Sequence, residues 1–288
     1  MTRLRMELYP IDTGLFKLDG GAMFGVVPKS IWQRTNPADD RNMCTWAARL
    51  LLIKEDERLI LVDTGLGNKQ NEKFFSHYYR HGDDTLDGSL AKHGFHRDDI
   101  TDVFLTHLHF DHVGGAIMRD GNRLVPAFRN ATYWSNKQHW DWALFPNHRE
   151  KPSFLQENII PLYESGQLNY IDVEDGIRFS DNITVRFAYG HTDAMMLPQI
   201  NYNGRTLLYM ADLLPSAGHI PLPYVMSYDV QPLITMEERK NYWQESIDND
   251  YALFLEHDPI NECCTIQLTD KGYRLKETFS LQEWLRAV

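Results

Sequence analysis

An α/β fold is predicted for this chain from three observations. Apolar runs of strand length alternate with segments of helical character. Several of those runs stop on an aspartate or histidine followed by a turn. Residues 58–63 and 205–212 also echo each other as strands ending in aspartate. Two sheet-containing halves, each delivering a carboxylate to a shared cleft, account for that echo, and so does chance. A chain of 288 residues can form one large α/β domain or two small ones, with a sizeable core in either case. Hydrophobic residues make up 43% and charged residues 24%, the balance of an ordinary globular protein.

The 40 acidic residues outnumber the 29 basic ones and give a net charge of −11, which disfavours nucleic acid as a partner. No apolar run approaches the ~20 residues that span a bilayer, so no membrane partner is expected. Residues 1–7 carry basic side chains but no apolar signal core. Cys44, Cys263 and Cys264 are odd in number and two are adjacent, which suits small core thiols in a reducing cytoplasm.

From the amino end, residues 4–18 and 22–27 read as short strands split by Asp19-Gly20-Gly21, and residues 30–42 as a loop. Residues 46–54 and 58–62 form a hairpin around Glu55-Asp56-Glu57. Its second strand runs into Asp63-Thr64-Gly65, where the carboxylate either supports a site from behind or simply starts a turn. Helices are expected over 71–79 and 85–93, the latter stopped by Gly94. His77, His81, His93 and His96 have no partner spacing and read as surface or packing residues. Residues 101–106 form the strand that delivers the central motif, and a helix begins over 111–118.

A strand is expected over 131–135 and helices over 136–144 and 153–165, the second interrupted at Pro161, and this segment holds Trp134, Trp140, Trp142, Phe145 and Phe154. So dense an aromatic stretch forms core, packs on a second subunit, or roofs a cleft, and a cap insertion at about residues 130–167 is favoured. Strands follow over 183–188, 197–202 and 205–211. A helix over 236–250 then has Thr235 and Glu238 as a capping box and Met236, Trp243, Ile247 and Tyr251 on one face. Short strands over 252–255 and 265–268 and a helix over 281–285 complete the chain.

The chemistry concentrates in Thr106-His107-Leu108-His109-Phe110-Asp111-His112-Val113-Gly114-Gly115, straight after the apolar run Val103-Phe104-Leu105. Imidazole and carboxylate are the groups that hold Zn²⁺ and similar ions. His107 and His109 are two apart on an extended segment and point the same way. Asp111 is expected to cap the coming helix and, with His112, to aim at a second ion. The Gly-Gly pair lets backbone pass close to a ligand. A two-metal site needs about six or seven donor groups, so further donors are sought at strand ends. Tyr189-Gly190-His191-Thr192, Met210-Ala211-Asp212 and Glu256-His257-Asp258 each follow an apolar strand and lead into a turn.

Together, His107-x-His109-x-Asp111-His112, Gly190-His191-Thr192, Asp212 and His257 resemble the metallo-β-lactamase superfamily, and Asp63-Thr64-Gly65 matches its structural strand-end aspartate. The matching motifs run from about residue 46 to 259. The resemblance implies an αββα sandwich, two mixed sheets with helices on the outer faces, forming a single metallo-hydrolase domain over residues 1–288. It also implies a dinuclear metal cleft along one sheet edge. Carried over by position, His107, His109 and His191 bind one ion, Asp111, His112 and His257 the other, and Asp212 bridges them. β-Lactamases of the superfamily lack the bridging carboxylate, so Asp212 argues against antibiotic hydrolysis. Glyoxalase-II-like thioesterases, phosphodiesterases, N-acyl homoserine lactonases and methyl-parathion-hydrolase-like enzymes share it. Gly20-Gly21-Ala22-Met23-Phe24-Gly25 and the long aromatic insert are most similar to the last two. There are two departures. The lactonase run Gly-His-Thr-Pro-Gly-His is Gly190-His191-Thr192-Asp193-Ala194-Met195 here, and Leu213-Leu214-Pro215 stands where lactonases commonly set a tyrosine.

Two divalent ions, zinc or else iron or manganese, about 3.5–4 Å apart can hold a bridging water and lower its pKa. The resulting hydroxide attacks a carbonyl or phosphorus while one ion takes the developing oxyanion. Asp111 and Asp212 are the expected catalytic carboxylates. Tyr189, His219, Tyr224 and Tyr228 are candidates to polarise substrate or protonate a leaving group. The expected function is a dinuclear zinc-dependent hydrolase of an ester or lactone. Phosphodiester or phosphotriester hydrolysis is the alternative, with iron-dependent oxygen chemistry behind it. The expected partner is a small molecule, and a homodimer is compatible.

Overall fold

Apolar runs of strand length build two mixed sheets. The computed structural model describes residues 6–287, so Leu4 and Arg5 of the expected first strand lie outside the described residues. The chain divides into two compact units. Unit 1 comprises the residues up to Gly14 with Ala48–Val173, and unit 2 comprises Leu15–Ala47 with the residues from Glu174 onwards.

The first sheet has strands β1 (Met6–Asp19), β2 (Met43–Glu55), β3 (Arg58–Val62) and β4 (Asp102–Phe104). After a separate hairpin of β5 (Ile117–Asp120) and β6 (Arg123–Pro126), it continues with β7 (Thr132–Ser135) and β8 (Leu168–Tyr170). Their spatial order is β1-β2-β3-β4-β7-β8. β3, β4, β7 and β8 run parallel. Strands of this kind are buried on both faces and read as continuous apolar runs, as Leu59-Ile60-Leu61-Val62 does; Leu50-Leu51-Leu52-Ile53 of the antiparallel β2 is buried as fully. The core of unit 1 gathers Leu50, Leu61, Val103, Leu105, Tyr133 and Leu162.

The aromatic stretch 130–167 contributes to that core. Trp140 and Phe154 are both 3% exposed and Trp142 packs against the cluster, whereas Phe145 is 84% exposed. Core was one of the three places the sequence allowed these rings.

The second sheet comprises β9 (Ile177–Arg178), β10 (Ile183–Ala188), β11 (Met195–Tyr202), β12 (Arg205–Tyr209), β13 (Ala252–Phe254), β14 (Cys263–Thr269) and β15 (Gly272–Phe279). Its order is β15-β14-β13-β12-β11-β10-β9, with β12 and β13 the parallel pair. All three cysteines are buried and free, as core thiols.

Several expectations need correction. Residues 20–24 are a short helix, Gly20–Phe24, and not the start of a strand, because Asp19 accepts a hydrogen bond from the Ala22 N–H at 2.8 Å and caps it. Gly20 is required there, since a Cβ would stand 2.3 Å from the Trp32 ring. The helix after the central motif lasts only Phe110–Val113 and is entered from His109, so Asp111 lies in its first turn and does not cap it. The long helix is Pro232–Asp248, entered from Gln231. Thr235 lies inside it, and the buried face carries Thr235, Arg239, Tyr242, Trp243 and Ser246.

Asp102, at the start of β4, gives a stability prediction. It accepts hydrogen bonds from Arg58 Nη2 (2.7 Å), Thr101 Oγ1 (2.7 Å) and Trp134 Nε1 (2.8 Å). Burial alone would raise its pKa, but Arg58, Thr101 and Trp134 together outweigh it and hold the carboxyl below its ordinary range. A folded pKa below the unfolded one gives stability that is present at neutral pH and lost as pH falls through about 4 towards the folded value. Asp102→Asn is therefore expected to cost about 2–4 kcal/mol at pH 7, less the solvent screening of the half-exposed Arg58. The gap to wild type in urea midpoint should narrow steadily from pH 7 towards pH 3. A gap independent of pH would disprove the assignment.

Candidate metal centre

In unit 1, parallel pairing sets the geometry. Val62 of β3 lies opposite Phe104 of β4, so whatever follows the two strands leaves the sheet at the same edge. Asp63 follows β3 with φ +60° and its N–H donates to Phe104 O at 2.8 Å. Its carboxylate accepts from Thr106 N (2.8 Å) and Thr106 Oγ1 (2.7 Å). The strand-end aspartate thus laces the start of the central motif to β3. It also takes His112, whose Nδ1 is 3.1 Å from Asp63 Oδ2. The other ring nitrogen of His112, Nε2, is 3.9 Å from Asp111 Oδ2.

His107 and His109 face each other, with His107 Nε2 3.1 Å from His109 Nδ1. The second nitrogen of each ring is engaged, His107 Nδ1 with Thr106 Oγ1 (3.1 Å) and His109 Nε2 with Glu150 Oε1 (3.2 Å). A histidine anchored through one nitrogen by a hydroxyl or carboxylate presents the other in a fixed direction, the arrangement metal-binding histidines use. All four donors of the motif are buried.

Sequence reasoning missed two supports here. Glu150 also accepts from Trp142 Nε1 and Asn147 Nδ2, both at 2.7 Å, so the aromatic stretch braces His109. His139, fully buried, accepts the Leu108 N–H at 2.9 Å. Neither has a spacing pattern relative to the motif. The Gly114-Gly115 pair has a different use from the one expected. A Cβ on Gly114 would lie 2.2 Å from Leu66 O, and one on Gly115 2.1 Å from Thr64 O, so the glycines let two loops of the protein meet.

Unit 2 repeats the device. Tyr209 of β12 is paired with Phe254 of β13, so Asp212 and His257 follow parallel strands from one edge. Asp212 divides its oxygens between two imidazoles, with Oδ2 3.0 Å from His191 Nε2 and Oδ1 3.0 Å from His257 Nε2. The far nitrogens are anchored: His191 Nδ1 is 2.8 Å from Asp229 Oδ1 and His257 Nδ1 2.8 Å from Ala47 O. Burial works against a charged His191 ring, but Asp212 and Asp229 outweigh it and hold its pKa up at about 10. Two carboxylates that hold a proton so firmly suit the holding of a metal cation.

The helix Pro232–Asp248 positions this donor set. Glu238 accepts from Tyr189 N (2.6 Å) and Gly190 N (3.0 Å), fixing the turn that carries His191. A Cβ on Gly190 would sit 2.3 Å from Thr235 N, so only glycine permits the approach. The next residue, Arg239, is fully buried and donates to Leu213 O (2.8 Å), His219 O (3.1 Å) and Tyr224 O (2.8 Å), fixing the loop after Asp212. Trp243 Nε1 donates to Ile220 O at 2.8 Å.

The suggested substrate-polarising groups divide. His219 has both ring nitrogens committed, Nε2 to Met23 O (2.9 Å) and Nδ1 to Ser216 Oγ (2.8 Å). Its ring stacks on Phe24, and burial with the Arg239 charge pushes its pKa down to about 3. His219 is therefore a neutral strut between the helix Gly20–Phe24 and the segment after Asp212. Tyr224 is half-buried and Tyr228 is 37% exposed. His77, His81, His93 and His96 are at the surface, as expected.

Fold and site define a class. The sequence matches the metallo-beta-lactamase superfamily over residues 50–252, and the chain belongs to that superfamily. Within it, the chain is related to lactonases. It is 27% identical over 196 residues to the N-acyl homoserine lactonase AiiA of Bacillus thuringiensis subsp. kurstaki, a match covering 65% of this chain and 66% of that protein, just under two thirds of its length. A probable metal-dependent hydrolase from Staphylococcus aureus superposes with a TM-score of 0.84 at 26% identity, over 97% of this chain and 100% of that one. The dizinc quorum-quenching lactonase AidC, solved with a product, shares the fold with a TM-score of 0.79 at 24% identity, over 96% of this chain and 97% of that one.

Proposed function

We propose that the chain acts as a metal-dependent hydrolase of esters or lactones through a dinuclear centre. His107, His109 and His191 would hold one divalent ion, Asp111, His112 and His257 the other, and Asp212 both. The observation that carries this reading is the division of the Asp212 carboxylate between His191 and His257, 3.0 Å on either side. A carboxylate placed so can serve two cations. The buried nitrogens, each with its ring anchored on the far side, fit zinc and related divalent ions.

Such ions, when bound, lower the pKa of water and withdraw charge from a carbonyl as Lewis acids. The protein's own part is then orientation. Asp111 would align a water, while Asp63 and Glu150 fix the rings of His112 and His109, and Asp229 fixes His191. An ester or lactone substrate accords with the lactonase relatives. A small-molecule partner agrees with the acidic net charge, and among the described residues no helix is long and apolar enough to cross a membrane. Three buried free thiols fit a reducing cytoplasm.

The test is metal content of the purified protein together with turnover of a panel of lactones, thioesters and phosphoesters. Close to two ions per chain and preference for lactones or esters are expected. A consistent single ion would refute the dinuclear centre, and preference for phosphoesters would move the chemistry from carbon to phosphorus.

A further inference from the structure

We infer that unit 2 carries a second binding site, separate from the metal donors, for a small anionic amphiphile: an aliphatic chain ending in a carboxylate. The site is a cavity of ≈ 620 Å³ between the segments 31–37, 217–224, 258–261 and 274–275. That is within the usual range for a small-molecule pocket, roughly 300–1,000 Å³. None of the seven proposed metal donors lines it.

Its wall is aliphatic where water would otherwise reach it. Ile31, Ile260 and Leu275 are 42%, 79% and 39% exposed, and all three border this cavity, as does the buried Ile220. Aliphatic side chains collected around one concavity, rather than scattered, are the mark of a surface that is covered in use. An apolar chain laid along them would remove both surfaces from water at about 25 cal/mol per Å².

The charges select the head group. Arg34 and Arg274 line the cavity, and neither pairs with a carboxylate among the described residues. Arg274 uses one nitrogen on Tyr273 O (2.7 Å) and keeps its other donors for a ligand. The acid that lines the cavity, Asp258, is turned inward. It accepts from Ala217 N (2.9 Å), Ile260 N (2.9 Å) and Asn261 N (2.8 Å), so its charge is taken up by backbone N–H groups. Two open guanidinium groups against one satisfied carboxylate favour an anion and disfavour an amine. Guanidinium also matches a planar carboxylate through paired N–H donors.

Octanoate titrated into the metal-loaded protein by calorimetry tests this, with octanol and octylamine as comparisons. Saturable octanoate binding at least tenfold tighter than either comparison is expected. It should weaken roughly tenfold or more in the Arg34→Gln/Arg274→Gln double variant. Asp212→Ala, which disturbs the proposed metal centre, should leave it within twofold. Ile260→Glu, a change at a side chain 79% exposed, should weaken it and so reports even where Asp212→Ala fails to fold. Equal binding of octanol or octylamine, absence of saturation, or binding that survives the double variant and the Ile260 change would each overturn the inference. So would a stable dimer that buries the cavity and takes up no octanoate. Loss of binding in a folded Asp212→Ala alone would place the carboxylate on the metals and overturn it too.

Discussion

Replacing Asp212 with alanine is expected to strip metal from the protein and lower hydrolysis by roughly 10³-fold or more, equivalent to losing several kcal/mol of charge stabilisation. One carboxylate stands 3.0 Å from both His191 and His257, so its loss leaves two imidazoles facing each other without the negative charge between them. Asp63→Ala is expected to behave differently. Asp63 binds Thr106 and His112 through hydrogen bonds, so its removal should loosen metal affinity about 10–100-fold and leave stoichiometry recoverable at high metal concentration. Metal analysis after dialysis against graded chelator separates the two. If Asp63→Ala lost metal beyond recovery and Asp212→Ala kept two ions, the roles would be reversed.

Arg239→Met carries the largest expected loss of stability. Its methionine would fill similar space but leave Leu213 O, His219 O and Tyr224 O without their buried donor. At about 1–3 kcal/mol for each unmet group, partly relieved by relaxation, the cost should be on the order of 3–5 kcal/mol. For a chain of this length that is about 10 °C in melting temperature. Because the released loop follows Asp212, metal affinity should fall as well, while Arg239→Lys should recover part of the stability. Melting scans with and without added zinc provide the check. A loss below 1 kcal/mol would show that Arg239 merely fills space, and a full loss with unchanged metal affinity would show that its hold on the loop does not reach the metal donors.

Much of this molecule is visible in the order of its residues because strands advertise their ends. Val62, Phe104, Tyr209 and Phe254 close apolar runs, and within three residues of their ends come the supporting Asp63 and the candidate donors His107, Asp212 and His257. The superfamily resemblance of His107 to His112 and the fold it implied agree with the match over residues 50–252 and with the structural superpositions. What stayed hidden is non-local. Glu150 reaches His109 across 41 positions and Asp229 reaches His191 across 38, and no sequence period links such pairs. Thr235 and Glu238 have the spacing of a capping box, yet the helix starts earlier because Pro232 suits its first turn. Glu238 is thereby freed for Tyr189 and Gly190. β15 escaped notice because it is an edge strand with largely exposed, charged residues, Arg274, Lys276 and Glu277 among them.

Arg239 grips the segment from Leu213 to Tyr224 entirely by main-chain oxygens, and Trp243 adds another at Ile220. Carbonyl oxygens are common to every amino acid. Apart from the buried His219 strut, the path of that segment therefore depends little on its own spelling, and its outward side chains are free to drift under selection without altering where Asp212 stands. In a protein of this build the outward positions of the segment can be rewritten one at a time, whereas a change at Arg239 is felt along its whole length.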